Sequence, residues 1–484
     1  MTSMSQPESP RLKFNLPEDG GHHGGRPQSS GSESAKSRRE SVILEDNYHA
    51  AAPQPRSRQH PWTNRPRSPN LKWQQGFDKP EHCRSGRVLM IDYVKQDHTR
   101  QGMRKVSAQE FNNIQSLRKL YANADRGREA VLRVLHVQNA QWATHFLLNK
   151  FNISDSDDLV GTTFGRYVKY RRPERRGGKP FLSGGKSWKT THDPWRGVSR
   201  TSFGLDYLRP CEVDRRADAG SGKPSAGKMM ELNCYDDNDN PVYGYDVYVQ
   251  RISCYIQKKE AVTELPSPDF ENPYQELEHD EESSKYVPHL ETLDNESTII
   301  IFENSQSGSI QDTLIAARQQ WESRWRRLPF YLAYENHDIS TDERMASECM
   351  KIIIQDIFKS VTKSWEKLLD ITNNHVSILE DKIYEEPADE SRAPELWTNS
   401  SWWLKVERLV SIHSNLVREM QLHLHEMSDQ GLVDDWLTAS TGDMERISNL
   451  VQEDLVKPTA SLAVSGHLAL LLRKHDCLAR DYYL

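Results

Sequence analysis

Two stretches of the 484-residue chain place apolar residues at alternating four- and three-residue steps, a spacing that suits a long helix with one buried stripe. The first runs through Ile354, Phe358, Val361, Trp365 and Leu368 and continues to Thr372, Val376, Leu379 and Ile383. Ser340 and Glu343 form a capping box ahead of it, and Pro387 ends it. The second follows Ala393-Pro394-Glu395 and carries Trp402, Val406, Leu409, His413, Leu416, Met420, His423 and Met427. Two such helices joined by a short proline-containing turn form an antiparallel hairpin or part of a coiled coil, and the second stripe is a candidate assembly seam. Residues 443–456 extend the helical region.

Upstream the period changes. Arg87-Val88-Leu89-Met90-Ile91-Asp92-Tyr93-Val94 is apolar, β-branched and of strand length, and residues 131–137 repeat that character. Ser107 with Glu110 predicts the cap of a helix carrying Phe111, Ile114, Leu117 and Leu120; Asn139 predicts the cap of another with Trp142, Phe146 and Leu147. Residues 241–257 read as a long strand or hairpin arm, and 297–302 as a short apolar strand. The expected fold class is α+β: an α/β domain over residues 83–335, long stalk-like helices over 336–462, and an atypical tail over 463–484. Residues 1–82, rich in Ser, Pro, Gly, Arg and Gln, predict a disordered tail, in which Arg38-Arg39-Glu40-Ser41 and Arg67-Ser68-Pro69 resemble phosphorylation sites.

No stretch suits a membrane. Crossing a hydrocarbon core of about 30 Å takes about 20 mostly apolar residues, whereas the best candidate, residues 458–472, is interrupted by Ser461, Ser465, Gly466 and His467 and as a helix would reach only about 22 Å. The sequence therefore predicts no transmembrane helix. Mean hydropathy of −0.79 and 27% charged residues agree. No apolar run near Met1 suits a secretory signal, and the six cysteines contain no Cys-x-x-Cys pair, so a reducing compartment is expected, cytoplasmic if the chain is complete as written.

Charge is unevenly spread around a net of −7. Residues 166–200 hold eleven Lys or Arg against Glu174 and Asp193, a net of +9, interleaved with Tyr167, Tyr170, Phe181, Trp188 and Trp195. Such a stretch resembles a single-strand nucleic-acid surface, but residues 264–296, with eleven acidic residues against Lys285 alone, offer an internal or inter-subunit partner, and no nucleic acid is expected. Gly184-Gly185-Lys186-Ser187 resembles the end of a phosphate loop, yet Pro180 stands where its first glycine belongs, so a flexible basic loop is expected. Asp236-Asp237-Asn238-Asp239-Asn240 lacks the glycine and terminal glutamate of a calcium loop. No nucleophile, base or metal motif of a known enzyme class is present, and no catalytic activity is expected.

Four stretches together resemble a family. They are Asp158-Leu159-Val160-Gly161-Thr162-Thr163-Phe164-Gly165-Arg166-Tyr167, Asp193-Pro194-Trp195-Arg196-Gly197, Ala393-Pro394-Glu395-Leu396-Trp397 and Glu453-Asp454-Leu455-Val456-Lys457-Pro458-Thr459. In order and spacing the chain from residue 87 to 462 resembles the cytoplasmic part of the CorA-like magnesium and zinc transporters, in particular their long fungal branch. The resemblance implies a membrane-associated homo-pentamer whose α/β domain feeds stalk helices, then a first membrane helix, a Gly-Met-Asn filter loop and a second membrane helix. This sequence contains no Gly-Met-Asn, Gly102-Met103 being followed by Arg104, so the expectation is a regulatory and stalk portion without its pore helices. A regulatory Mg2+ would seek carboxylates, and Glu380, Asp381, Glu385 and Glu386, with Asp389 and Glu390, are the candidates beside the hairpin turn. The alternative is a soluble coiled-coil protein assembling through the Trp402 to Met427 stripe, or, further off, a nucleic-acid binder.

Overall fold

The computed structural model describes residues 47–49, 86–96, 103–122, 129–154, 163–169, 175–176, 179–180, 182, 184–214, 227–233, 243–260, 272–274, 289–305, 313–335, 341–385, 392–427 and 436–457. The strands are β1 (Asn47–His49), β2 (Arg87–Val94), β3 (Met103–Phe111), β4 (Ala130–Gln138), β5 (Arg175–Arg176), β6 (Lys179–Pro180), β7 (Gly185–Asp193), β8 (Val198–Asp214), β9 (Lys228–Asn233), β10 (Tyr243–Lys259) and β11 (Ser297–Asn304). The helices are α1 (Ile114–Ala122), α2 (Gln141–Lys150), α3 (Phe164–Lys169), α4 (Leu328–Glu335), α5 (Asp342–Glu385), α6 (Arg392–Met427) and α7 (Thr438–Leu450).

One mixed sheet runs β1-β3-β2-β4-β11-β10-β8-β7, with β9 pairing on β10 beyond the end of β11. At its centre β4 lies parallel to β11, whereas β8 and β10 pair antiparallel along the full 17 residues of each. β2 and β4 are buried at every position, which is why they read as continuous apolar runs rather than alternations.

The two faces bury different partners. Val88, Met90, Leu135, Val137, Ile300 and Phe302 point to one side and pack with Leu117, Leu147, Leu148 and Phe164 of α1, α2 and α3. Gly204 lets α3 come down onto β8: a Cβ there would stand 2.2 Å from Cε1 of Tyr167. Long helices cover the other face. Phe203 of β8 stacks on Phe358 of α5 with ring centroids 4.9 Å apart, and the Tyr93 hydroxyl donates to the Trp325 carbonyl at 2.6 Å.

The two periodic stretches form the hairpin their spacing predicts. Trp365 meets His413 and His375 meets Asn399, so the partner number falls as the first rises, and α5 and α6 run antiparallel. At 44 and 36 residues they are about 66 Å and 54 Å long. α7, continued by a wider turn over Val451–Val456, packs against both. The Gln355 amide donates to the Trp436 carbonyl at 2.7 Å, and Arg418 pairs with Glu445. The C-terminal carbonyls of α6 are capped from the sheet, His423 by Thr190 Oγ1 and Met427 by Lys258 Nζ.

Several local expectations are corrected. Ser107 and Glu110 lie inside β3, paired with β2, and α1 begins only at Ile114, where the Asn113 side chain accepts from the Ser116 amide at 2.9 Å. Cross-strand pairing outweighs a local capping pattern here. Asn139 does not cap α2; it adopts φ +53, and its Oδ1 accepts from the Ser305 amide at 2.7 Å. Thr341 Oγ1 accepts from the Arg344 amide at the start of α5; Ser340, the expected cap, lies outside the described residues. The glycines of the phosphate-loop-like segment lead into strand β7 rather than a flexible loop, and both lie against α6: a Cβ on Gly184 would come within 2.8 Å of Ile412 Cδ1. Asn47–His49, inside the stretch expected to be disordered, pairs with β3 as an edge strand. The phosphorylation-like sites, Asp236 to Asn240 and residues 458–472 lie outside the described residues. Among those described, no helix is long and apolar enough to cross a membrane.

Candidate functional site

The charged residues that interrupt the central strands gather into buried polar clusters on the sheet. On the α1 and α2 side, Asp92 of β2 and Arg133 of β4 are cross-strand partners, and Asp294 stands just before β11. Arg133 Nε and Nη2 donate to the two oxygens of Asp92 at 2.7 and 3.3 Å, and Nη1 donates to Asp294 Oδ2 at 2.6 Å. All three side chains are buried. Burial opposes the charge on Arg133, but Asp92, Tyr121 and Asp294 beside it hold its pKa well above the ordinary value. Its guanidinium also lies 5.3 Å from the centroid of the Tyr121 ring, whose own hydroxyl is pushed upward chiefly by burial.

On the long-helix side the cluster centres on Glu303, at the end of β11. Its carboxylate faces His136 Nε2 at 3.0 Å and the Tyr207 hydroxyl at 2.9 Å, and accepts from the amides of Leu314 and Ile315. Tyr207 also lies 2.7 Å from Gln250 Oε1; burial first, and the Glu303 charge second, raise its pKa well above the ordinary phenol value. His136 Nδ1 has no hydrogen-bond partner among the described residues. Next to it Arg87 donates to Gln138 at 2.6 Å, and Gln138 to Thr313 at 3.0 Å. The cluster therefore ties residues 313–315, which lead toward the long helices, to the ends of β4 and β11.

Arg196 is the third centre. It lies in the β7–β8 turn, inside Asp193-Pro194-Trp195-Arg196-Gly197, where Gly197 adopts φ +61 and Asp193 Oδ1 accepts from the Arg196 amide at 3.3 Å. Its guanidinium donates to Asn295 Oδ1 at 2.8 Å, the Phe151 carbonyl at 3.0 Å, Gln257 Oε1 at 3.1 Å and the Asp294 carbonyl at 2.9 Å. That arginine joins the ends of four segments. The Tyr274 hydroxyl, from the acidic stretch, donates to Asp193. These clusters bring fixed charges to buried positions and bind backbone; they do not set a nucleophile beside a base.

The residues proposed for metal binding fall on the last turns of α5. Glu380 is half-buried and Asp381 and Glu385 are exposed, while Glu386, Asp389 and Glu390 lie outside the described residues. Among the described residues no group of three or more His, Cys, Asp or Glu is placed to hold a metal ion. The seam residues Trp402, Val406, Leu409, His413, Leu416, Met420, His423 and Met427 are all buried, and burial is reached within one chain: the helix lies against α7 and the sheet, and His413 meets Trp365 of α5. In the basic stretch, Tyr167 and Trp188 face inward, their rings meeting at 5.3 Å, and Trp188 meets Phe164 at 5.1 Å. They are part of the packing between α3 and β7 rather than an open stacking platform.

The sequence singles out none of Arg133, Asp92, Asp294 and Glu303 as a candidate, and Arg196 only as part of a resembling stretch. The signal was present: neighbouring apolar strands carried one acid in Leu-Met-Ile-Asp-Tyr-Val and one base in Val-Leu-Arg-Val-Leu, and isolated charges in fully buried strands must find each other. No family model matches the chain, and no curated protein sequence does. Among solved structures, the soluble domain of CorA from Methanocaldococcus jannaschii is similar with a TM-score of 0.32 and 9% identity, over 79% of this chain and 94% of that one.

Proposed function

We propose that the chain is the regulatory and stalk portion of a CorA-like divalent-cation transporter, with no catalytic chemistry of its own. The observation that carries this reading is an order of parts. A mixed sheet flanked by short helices is followed, in one chain, by helices of 44 and 36 residues, and the four resembling stretches fall along the same order. In such a role the far end of the long-helix hairpin reads the cation, and the long helices, held on the sheet, carry the response toward a pore. Two of the stretches have structural work in this fold: Arg196 anchors the β7–β8 turn, and Glu453 pairs with Lys457 at the end of the α7 extension.

Glu380, Asp381, Glu385 and Glu386 are the proposed contacts for regulatory Mg2+, through carboxylate oxygens and retained water. Isothermal titration of the full chain with MgCl2 is expected to give a saturating signal in the millimolar range that the combined variant Glu380→Gln, Asp381→Asn, Glu385→Gln loses. A flat titration of the unaltered chain removes the sensing role. Light scattering is expected to return five times the 55.9-kDa chain mass. A monomer at micromolar concentration removes the stalk assembly. Because the Trp402 to Met427 stripe is occupied inside the chain, such an assembly would use the outer faces of α5 and α6.

A further inference from the structure

His413 sits where three elements meet: it rises from α6, faces Trp365 of α5, and reaches the backbone of β8. Its Nδ1 lies 3.0 Å from Trp365 Nε1, and its Nε2 lies 2.8 Å from the Asp206 carbonyl oxygen. An indole N–H can only donate and a carbonyl oxygen can only accept. The two contacts together therefore fix one state of the ring, neutral with its proton on Nε2. A proton added to Nδ1 would face the Trp365 N–H, donor against donor, in a site where His413 is 1% exposed and water is not at hand to accept either hydrogen.

We propose that His413 is a proton-operated clasp, holding the α5–α6 hairpin on the sheet while neutral and releasing it when Nδ1 is protonated. The groups facing it from each element support a clasp rather than a salt bridge. α5 presents Trp365, and β8 presents the Asp206 carbonyl. The Asp206 carboxylate is engaged by Arg251 of β10 at 2.7 and 3.2 Å, and among the described residues no carboxylate pairs with the imidazole. Nearby charges on the helices are spent elsewhere, Glu366 on Arg446 of α7 and Glu419 on Ser187 of β7. Burial accordingly lowers the His413 pKa to about 4, opposed only by the hydrogen bond to Asp206.

The linkage has a definite sign. An undocked or unfolded His413 takes up its proton near pH 6.5, and the docked one only near pH 4. Docking is at full strength above pH 6.5 and weakens as pH falls from 6.5 through 4, by about 300-fold in the docked-to-undocked ratio. The coupling is reciprocal, so anything that draws the hairpin off the sheet at neutral pH makes His413 more basic.

The test compares the full-length chain with His413→Gln, whose amide can accept from Trp365 and donate to Asp206 without titrating. Urea unfolding, followed by tryptophan fluorescence between pH 7.5 and 4, is expected to lose about 150-fold more in the folding constant for the unaltered chain than for His413→Gln, half of the full effect because the docked ring is half-protonated at pH 4. Identical pH dependence in the two overturns the clasp. A second measurement needs no variant: exchange of the imidazole C2 hydrogen, read by mass spectrometry on the peptide containing His413. A titration midpoint near 4 supports the clasp, and one near 6.5 overturns it. Neither readout involves metal binding or transport, so the clasp can fail while the proposed function stands, and the reverse.

Discussion

Arg133→Met is expected to destabilise the fold by about 3–5 kcal/mol, measured by urea unfolding at pH 7, because it leaves Asp92 and Asp294 charged and buried without their shared cation. Methionine matches the volume of the stem but offers no donor, so the loss is electrostatic rather than a cavity. The variant should also acquire a pH dependence the parent lacks. Without Arg133 the two carboxyls gain protons more readily in the folded chain than their ordinary pKa of about 3.9 allows in the unfolded one. Relative to the parent, which shares the His413 titration, the variant should therefore gain stability as pH falls from 7 toward 4, narrowing the gap between them. Replacing all three members by apolar residues should recover most of the loss, since the interaction chiefly offsets the cost of burying its own charges. A loss under about 1 kcal/mol for Arg133→Met would mean that water reaches the cluster.

Gly86→Ala is expected to cost about 4 kcal/mol or more, enough that little folded protein is recovered at 37 °C. Gly86 precedes β2 with φ +74, and a Cβ there would stand 2.3 Å from the carbonyl carbon of Asn139 and 2.5 Å from the Ala140 amide nitrogen. Those atoms are backbone, and Asn139 is itself held at φ +53 by its bond to Ser305, so neither side can give way. Gly442→Ala is the control. It lies in α7 with nothing beyond its own stretch of helix within 4 Å of the added methyl, and should gain about 0.5–1 kcal/mol from helix propensity. Equal thermal stability of the two variants would contradict both arguments.

How far the sequence could be read depends on the range of the interaction. The β2 run and the stripes of α5 and α6 are patterns within one segment, and Arg87–Val94 and both long helices could be read directly. β8 was not, because Val198–Asp214 carries Arg200, Asp206, Arg209 and Glu212 on a strand whose 17-residue partner lies more than twenty positions away. Ser107 and Glu110 misled for the opposite reason, a valid local capping pattern overridden by β2. His413 and His423, expected on an assembly seam, are buried within the chain, and no spacing rule could say that His413 would meet a carbonyl of β8. For Glu380, Asp381 and Glu385, the described candidate metal residues, proximity in sequence placed them near one helix end without arranging three ligands around a point.

The parallel pairing of β4 with β11 also has a consequence in time. About 160 residues separate the two strands, so a ribosome adding about 5–20 residues per second completes β4 roughly 8–30 s before its neighbour emerges. During that interval the apolar strand Ala130–Gln138 has β2 on one side and unpaired amides on the other. Newly made chains are thus most prone to join one another through this edge, and holding it covered is the task a chaperone would perform for this protein.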